Sequence, residues 1–452
     1  MQAVDTLLHA RWIVPVEPEG VVLEHHSLVI HEGLILDLLP SDAARQRYSS
    51  TQTHELPGHA LIPGLINAHT HAAMSLFRGL ADDLPLMVWL NEHIWPAEGA
   101  WISDEFVFDG TQLAMAEMLR GGTTCFNDMY FFPDETARAA SLAGMRAVVG
   151  LIMIDFPTAW AANPDEYLSK GLALQDRYRN DPLIRTAFAP HAPYTVSDDP
   201  LRRIQTYAEE VDIPIHIHLH ETDDEIKGGM EQHGRRPMAR LDGLGLLSPR
   251  LLAVHMTHLR EEEIERAAAT GIHVVHCPES NLKLASGFCP AAGLLRAGVN
   301  VALGTDGAAS NNDLDMLGEM RSAALLGKAV AGNASALPAA DALRMATLNG
   351  ARALGLDEVT GSLVKGKAAD VVCVHLGEIE SQPVYHPISQ LVYATGRHQV
   401  SDVWVAGRHL LKERRLTTLD EQDILAKTGR WRERIAASDA GAGGKNIEAC
   451  IE

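Results

Sequence analysis

The amino-acid sequence predicts an α/β protein, a (β/α)8 TIM barrel carrying a small β-sandwich domain built from both chain ends. Three observations lead there. Eight short apolar runs recur through the middle of the 452-residue chain, each followed by a helical pattern. Histidines and acids stand at the C-terminal ends of those runs, the face on which barrels carry their chemistry. Both chain ends share a strand-and-turn texture that the middle lacks.

In chain order, residues 1–60 open with "RWIVPVEP", "SLVIHEG" and "LILDLLP", short β-like runs separated by turns, with nothing convincingly helical. "KAADVVCVHL" and "VSDVWVAGRHLLKERR" repeat that antiparallel texture near the other end. Residues 1–60 and 368–430 are therefore expected to pair as one composite β domain. Residues 61–367 form the expected barrel. Its strands are read at 65–68, 123–128, 146–154, 184–190, 213–220, 251–255, 272–277 and 299–306. Between them, Ser103 caps a helix that ends at Gly121-Gly122, as a side-chain oxygen and a glycine pair do. Asp199-Pro200 opens another, with Leu201, Ile204, Ala208 and Val211 on one face. A third runs over 261–270 and stops at Gly271. Residues 431–452 are read as a C-terminal helix and tail, frayed over "ASDAGAGGKNIEACIE". A doubly wound open sheet fits less well, because eight repeats are present and no GxGxxG follows the first strand.

Composition narrows the function classes. The formal net charge is −21, which argues against a nucleic-acid partner. No run reaches the roughly 18 apolar residues of a membrane span, and the N-terminal stretch lacks the basic and apolar regions of a signal peptide. Five dispersed cysteines (Cys125, Cys277, Cys289, Cys373, Cys450) form no CxxC pair and read as reduced thiols of a cytoplasmic protein. A large apolar barrel with a β appendage is also expected to form a homo-oligomer.

"NAHTHAAM" gives the chemistry its first foothold. In a strand, His69 and His71 point to the same face and converge on one point. A further strand ends in His218, His220 and Glu221, and the last ends in Asp306. Two histidines from one strand, a third from another and an aspartate make a shell suited to zinc or another divalent transition metal such as iron. If the ion keeps one water, it lowers that water's pKa toward about 7. His216, His218 and His220 share one strand face and cannot all hold one ion; His216 lies deepest. The dispersal of these residues over separate strand ends argues against a storage tract, which is usually contiguous.

Four segments carry a resemblance over nearly the whole chain: "PGLINAHTHAAMSLFRGLADDLPLMVWL", "HLHETDDE", "CPESNLKLASG" and "LGTDGAASNNDLDM". They resemble the amidohydrolase superfamily and, within it, the 5′-methylthioadenosine/S-adenosylhomocysteine deaminases, close to the guanine deaminase and triazine hydrolase branches. The resemblance implies metal ligands at His69, His71, His218 and Asp306, because the family ligand stands three residues before the glutamate of its motif, here Glu221. It implies one zinc ion per subunit, with iron or manganese as the other candidates. The carboxylated lysine that bridges two metals in binuclear members has no counterpart in "TAFAPHAPYT".

The implied reaction is hydrolytic deamination of the 6-amino group of an adenosine-type nucleoside to the inosine analogue and ammonia. Asp306 would act as general base on the attacking water. Glu221 would protonate the purine N1 and pass a proton to the leaving amine, and His255 would hydrogen-bond the water. Glu221 and Asp306 would thereby also contact the substrate. Glu98, nine residues after Trp89, would accept hydrogen bonds from the ribose hydroxyls, and His191 would contact the purine. Trp89 and Met87 would pack against the 5′ substituent. Asp223, Asp224 and Glu225 read as a solvated acidic face. Where S-adenosylhomocysteine users carry an arginine, the count falls on Leu151, so 5′-methylthioadenosine is the expected substrate, adenosine next. Guanine deamination or triazine hydrolysis is the rival within the superfamily; a barrel kept only as a binding scaffold is the rival outside it, and the complete ligand set speaks against that.

Overall fold

The computed structural model describes residues 1–441. Two eight-stranded sheets organise it. The N-terminal strands are β1 (Gln2–Ile13), β2 (Leu23–His31), β3 (Leu34–Pro40) and β4 (Tyr48–Pro63). The barrel strands are β5 (Leu65–Thr70), β6 (Thr123–Asp128), β7 (Arg146–Met153), β8 (Ile184–Pro190), β9 (Ile215–Leu219), β10 (Leu251–His255), β11 (His273–His276) and β12 (Asn300–Leu303). The chain returns to the first sheet as β13 (Val371–His375), β14 (Val400–Val405), β15 (Arg408–Lys412) and β16 (Arg415–Leu416).

All eight barrel strands fall within or at the edges of the apolar runs read from the sequence, and they pair in parallel in chain order. The barrel closes between β5 and β12. Asn67 Nδ2 donates to Thr305 Oγ1 at 2.7 Å, its Oδ1 accepts from the Thr305 amide at 3.0 Å, and the Asp306 amide donates to the His69 carbonyl at 3.1 Å. A Cβ on Gly304 would lie 2.8 Å from that of His69, so this seam requires glycine.

The two chain ends meet as expected, with β4 antiparallel to β13 from Pro63↔Val371 to His59↔His375. They form one continuous sheet in the order β16-β15-β14-β13-β4-β1-β2-β3. Two local features depart from the purely antiparallel expectation. β1 pairs with β4 in parallel, and the helix Ser41–Arg47 lies between β3 and β4. The two are linked, because a parallel pair cannot be closed by a tight hairpin and needs a crossover. The sheet is not an independent appendage. Ile62, Val372, Val374 and Val403 belong to the same buried core as the barrel helices, and Arg146 at the start of β7 donates to Asp370 at 2.9 Å in a buried ion pair.

Two of the three helix readings hold at their caps. Ser103 Oγ accepts from the Phe106 amide at 3.2 Å at the start of Asp104–Arg120, and Glu261–Thr270 ends at Gly271 in a left-handed conformation. Asp198–Val211 starts one residue before the expected Asp199, so Pro200 lies inside the first turn, and Val211 is exposed rather than buried. The last helix, Glu421–Gly441, is continuous across the expected boundary at residue 431. Trp431 anchors it, donating from Nε1 to Asp109 Oδ2 at 3.1 Å. Of the tail expected over 437–452, residues 437–441 close this helix and the remainder lies outside the described residues. The four cysteines among the described residues are free and buried.

Candidate metal centre and active site

His69 lies near the end of β5 and His71 directly follows it, His218 lies in β9, and Asp306 follows β12. Their ligand atoms all lie within 4.8 Å of one another. Asp306 Oδ1 is 3.2 Å from Nε2 of both His69 and His71, and His218 Nε2 is 3.2 Å from His69 Nε2. The other ring nitrogens are occupied. His71 Nδ1–H donates to the Met129 carbonyl at 2.6 Å and His218 Nδ1–H to the His191 carbonyl at 2.7 Å. A carbonyl only accepts, so both rings carry a proton on Nδ1 and turn Nε2 toward the cluster. His69 differs. Its Nδ1 lies 2.8 Å from His216 Nε2, and His216 Nδ1 lies 3.1 Å from Asn127 Nδ2. The deep histidine of β9 is thus a satisfied core residue whose partner is one of the candidate ligands.

Asp306 is held from its other oxygen. Ser280 and Ser310 donate to Oδ2 at 2.6 and 2.8 Å. Burial would raise this carboxyl's pKa, but the bonds from His69 and His71 outweigh it and hold it well below the usual range. For His71 burial works downward and is outweighed by the Asp306 carboxylate, lifting its pKa to about 9. His69 is pushed down to about 4, chiefly by burial.

Glu221 follows β9 and is buried beside this cluster; burial raises its pKa. Its Oε2 is 3.9 Å from His255 Nε2, and His255 Nδ1 is held by Asn281 Oδ1 at 2.9 Å. Strain collects at these strand ends: His220, His255 and Asp306 have φ of 54°, 74° and 63°. Non-glycine residues in that region are uncommon and concentrate where surrounding structure fixes them.

Above the cluster opens a cavity of about 230 Å³. His71, His218, Glu221, His255 and Asp306 line its floor, and Trp89, Glu98 and His191 line its sides. Glu98, on the helix Trp95–Trp101, accepts from Tyr130 Oη at 2.9 Å. Burial pushes its carboxyl up to about 7, against the Tyr130 bond and the His71 charge. His191 Nδ1 is 2.9 Å from Thr195 Oγ1, and its pKa falls to about 3, mainly through burial. Trp89 is buried and donates from Nε1 to the Ala81 carbonyl at 3.1 Å, so its ring, not its N–H, faces the cavity.

Three sequence readings need correction. Leu151 does not face the cavity: its Cβ would lie 3.2 Å from a Cβ at Gly171, on a surrounding helix. Strand alternation puts Ile152 and Ile154 at the cavity wall instead. Met87 is 38% exposed and outside the lining. Glu225 is buried, unlike exposed Asp223 and Asp224, because its carboxylate turns back to accept from the amides of His220 and Glu221 at 2.9 and 2.7 Å. Sequence reading also assigned no task to Ser280, Asn281 or Ser310, although they stand in the segments "CPESNLKLASG" and "GTDGAASN". Asp128 turns out to be scaffold, accepting from the Ala72 amide at 2.7 Å and so fixing the turn after His71.

The Amidohydrolase family model matches residues 60–410. This chain is an amidohydrolase of the 5-methylthioadenosine/S-adenosylhomocysteine deaminase family. It is 53% identical to the deaminase of that name from Teredinibacter turnerae, covering 96% of this chain and 98% of the relative. Among solved structures it is similar to an adenosine deaminase from Xanthomonas campestris with bound zinc, at 56% identity and a TM-score of 0.96, covering 96% of this chain and 99% of that one. E. coli guanine deaminase, at 25% identity, shares the fold with a TM-score of 0.79, over 92% of this chain and the whole of the other. Membership makes the chain a metal-dependent hydrolytic deaminase. No helix among the described residues is long and apolar enough to cross a membrane.

Proposed function

We propose that the chain deaminates an adenosine-type nucleoside at C6, with 5′-methylthioadenosine preferred over adenosine and S-adenosylhomocysteine last. The observation that carries this reading is the juxtaposition of a three-histidine, one-carboxylate cluster with Glu221 on the floor of a cavity whose far side holds Glu98.

The residues fit a zinc ion. Three imidazoles aim at one point, and Asp306 offers Oδ1 while Ser280 and Ser310 occupy Oδ2. His69, His71, His218 and Asp306 would hold it, one ion per subunit. Such an ion supplies the Lewis acidity that makes water a nucleophile near neutral pH. The protein's side chains supply the rest. Asp306 accepts the proton lost by the attacking water. Glu221, whose burial favours its acid form, delivers a proton to N1 of the purine, removing the electron density that resists attack at C6. The carboxylate left behind takes the proton of the new C6 hydroxyl and carries it to the departing amine, and the proton held by Asp306 returns to restore the acid. His255, oriented by Asn281, turns Nε2 toward the attacking water and hydrogen-bonds it. Glu98 accepts from the ribose hydroxyls, Trp89 supplies a flat apolar wall, and His191 meets the purine.

Substrate preference rests on the walls. Ile152, Ile154, Phe156 and Leu284 line the cavity, and none of the described residues lining it is lysine or arginine. An apolar methylthio group gains there by leaving water, whereas an amino-acid carboxylate would lose hydration without a partner.

The test is ammonia release from 5′-methylthioadenosine, adenosine, S-adenosylhomocysteine and guanine with zinc-loaded protein. The highest kcat/KM is expected for 5′-methylthioadenosine. Ammonia from guanine and from no nucleoside would overturn the reading.

A further inference from the structure

We infer that Glu225 and Thr257 are positioning residues: together they clamp the main chain of Glu221 and so set the place of its carboxyl over the floor of the cavity. The inference rests on the reading of Glu221 as the proton-carrying acid.

Glu221 follows directly on His220, which sits in the left-handed region at φ 54°. A β-strand chain does not turn there by preference, so something must hold it. Polar contacts from two side chains and from the amides of Thr257 and His258 do. Glu225 accepts from the amides of both His220 and Glu221. Thr257 Oγ1 lies 3.0 Å from the His220 carbonyl and 2.7 Å from that of Glu221, and the Thr257 amide donates to the His220 carbonyl at 3.0 Å. Amide and carbonyl of both residues are therefore engaged from opposite sides.

The local sequence Thr222-Asp223-Asp224-Glu225 has the pattern of a helix capping box. Half of one forms: Thr222 Oγ1 accepts from the Glu225 amide at 3.2 Å. In the usual box the glutamate returns the bond to the cap residue's own amide. Here it reaches past Thr222 to the two residues before it, away from the helix and toward the active site. Capping the helix Asp223–His233 does not require that reach, whereas fixing Glu221 does. Thr257 comes from the loop after β10, two residues beyond His255. The clamp thus also ties the proton carrier to the strand end that bears its neighbour at 3.9 Å.

The experiment compares Thr257→Val, which keeps the shape and removes the hydroxyl, with Thr257→Ser, which keeps the hydroxyl, and with Glu225→Gln. Each is also built on Glu221→Gln. In zinc-loaded protein, Thr257→Val and Glu225→Gln should lower kcat by about 10- to 100-fold, as small displacements of a catalytic group do, with KM and zinc content little changed. Thr257→Ser should restore most of the rate. On Glu221→Gln, measured in single turnover, the same changes should have little further effect, because the group they position is already disabled. Wild-type kcat in both variants, or an equal loss with and without Glu221, overturns the inference. Full activity of Glu221→Gln alone overturns instead the reading on which it rests. Melting temperatures separate variants that fail to fold, and the paired design leaves either Thr257 or Glu225 to decide.

Discussion

The floor and the walls of the cavity are built in different ways. Every side chain on the floor comes from the end of a barrel strand, and most are held by a second polar group: His71 by the Met129 carbonyl, His218 by that of His191, Asp306 by Ser280 and Ser310, His255 by Asn281. The walls come mostly from other elements, apart from Ile152 in β7 and His191 directly after β8. Trp89 lies on an irregular helical turn, Glu98 on a short helix, and Ile154 and Phe156 lie beyond the end of β7. Apart from Glu98 with its Tyr130 partner and His191 with Thr195, the walls act mainly by shape and apolar contact. The difference teaches a division of labour. Strand ends fix the reacting atoms, while connecting segments decide what is admitted.

The largest effect should follow breaking the floor. Removing the metal by chelation, or Asp306→Asn, should abolish ammonia release, with zinc restoring the chelated enzyme and not the variant. Glu221→Gln should lose about 10²- to 10⁴-fold in kcat, the usual worth of a positioned proton donor. If either variant kept wild-type turnover, floor and walls would not divide as argued.

A second test sharpens the floor itself. His71 and His218 are held by carbonyls, but His69 is held by the imidazole of His216, which can donate or accept. His216→Leu should weaken zinc affinity by about 10- to 100-fold, the usual effect of losing a group behind a ligand. Equilibrium titration against a chromogenic chelator measures this without any turnover assay. Unchanged affinity would show that the His69 ring is placed by packing alone.

The same contrast explains what could be read from the sequence. β-strand alternation and the spacing of polar residues at strand ends are short-range rules, so His69, His71, Asp306 and the trio His216, His218 and His220 could be gathered from the chain's own pattern, while the family resemblance singled out His218. The eight apolar runs pointed to the barrel for the same reason. Glu225 could not be placed, because a carboxylate in "ETDDE" faces solvent or folds back depending on a φ angle at His220 that no local pattern shows. The count falls on Leu151, which turns away from the cavity, and in a strand one position turns a side chain to the other face. Ser280 and Asn281 reach the floor from the short helix Pro278–Lys283 and Ser310 from a turn, and tertiary contacts set the place of both.

For the walls, Glu98 offers a change with a pH signature. With its carboxyl near pKa 7, it is charged above that pH and accepts most strongly from ribose hydroxyls there. KM for the nucleoside should therefore rise as pH falls below 7. Glu98→Gln should flatten that dependence and cost about 1.5 to 3 kcal/mol in kcat/KM, as hydrogen bonds to charged groups do. Stability runs the other way. Because the folded pKa is raised, the stabilising contribution of this group is complete below about 4.5 and is lost as pH rises through about 7. The apo protein should thus gain a little melting temperature on Glu98→Gln at pH 8 and not at pH 4. A KM that is flat with pH in the native enzyme would remove Glu98 from the ribose site.

The smallest effect should come from the apolar wall. Phe156 lines the cavity yet remains 45% exposed, so its ring is only partly withdrawn from water when a substrate arrives. Phe156→Ala should then cost about 1 kcal/mol in binding a nucleoside with an apolar 5′ group, less than full burial of such a side chain is worth. The decisive quantity is a ratio. If the wall selects the 5′ substituent, the loss falls on 5′-methylthioadenosine and spares adenosine, which carries only a hydroxyl there, so their kcat/KM values converge. If both substrates lose equally, Phe156 merely shields the floor from solvent, and the preference must come from Ile152 and Ile154 deeper in the wall. Either result leaves kcat on adenosine near its native value, because no atom of Phe156 is needed by the reaction at C6.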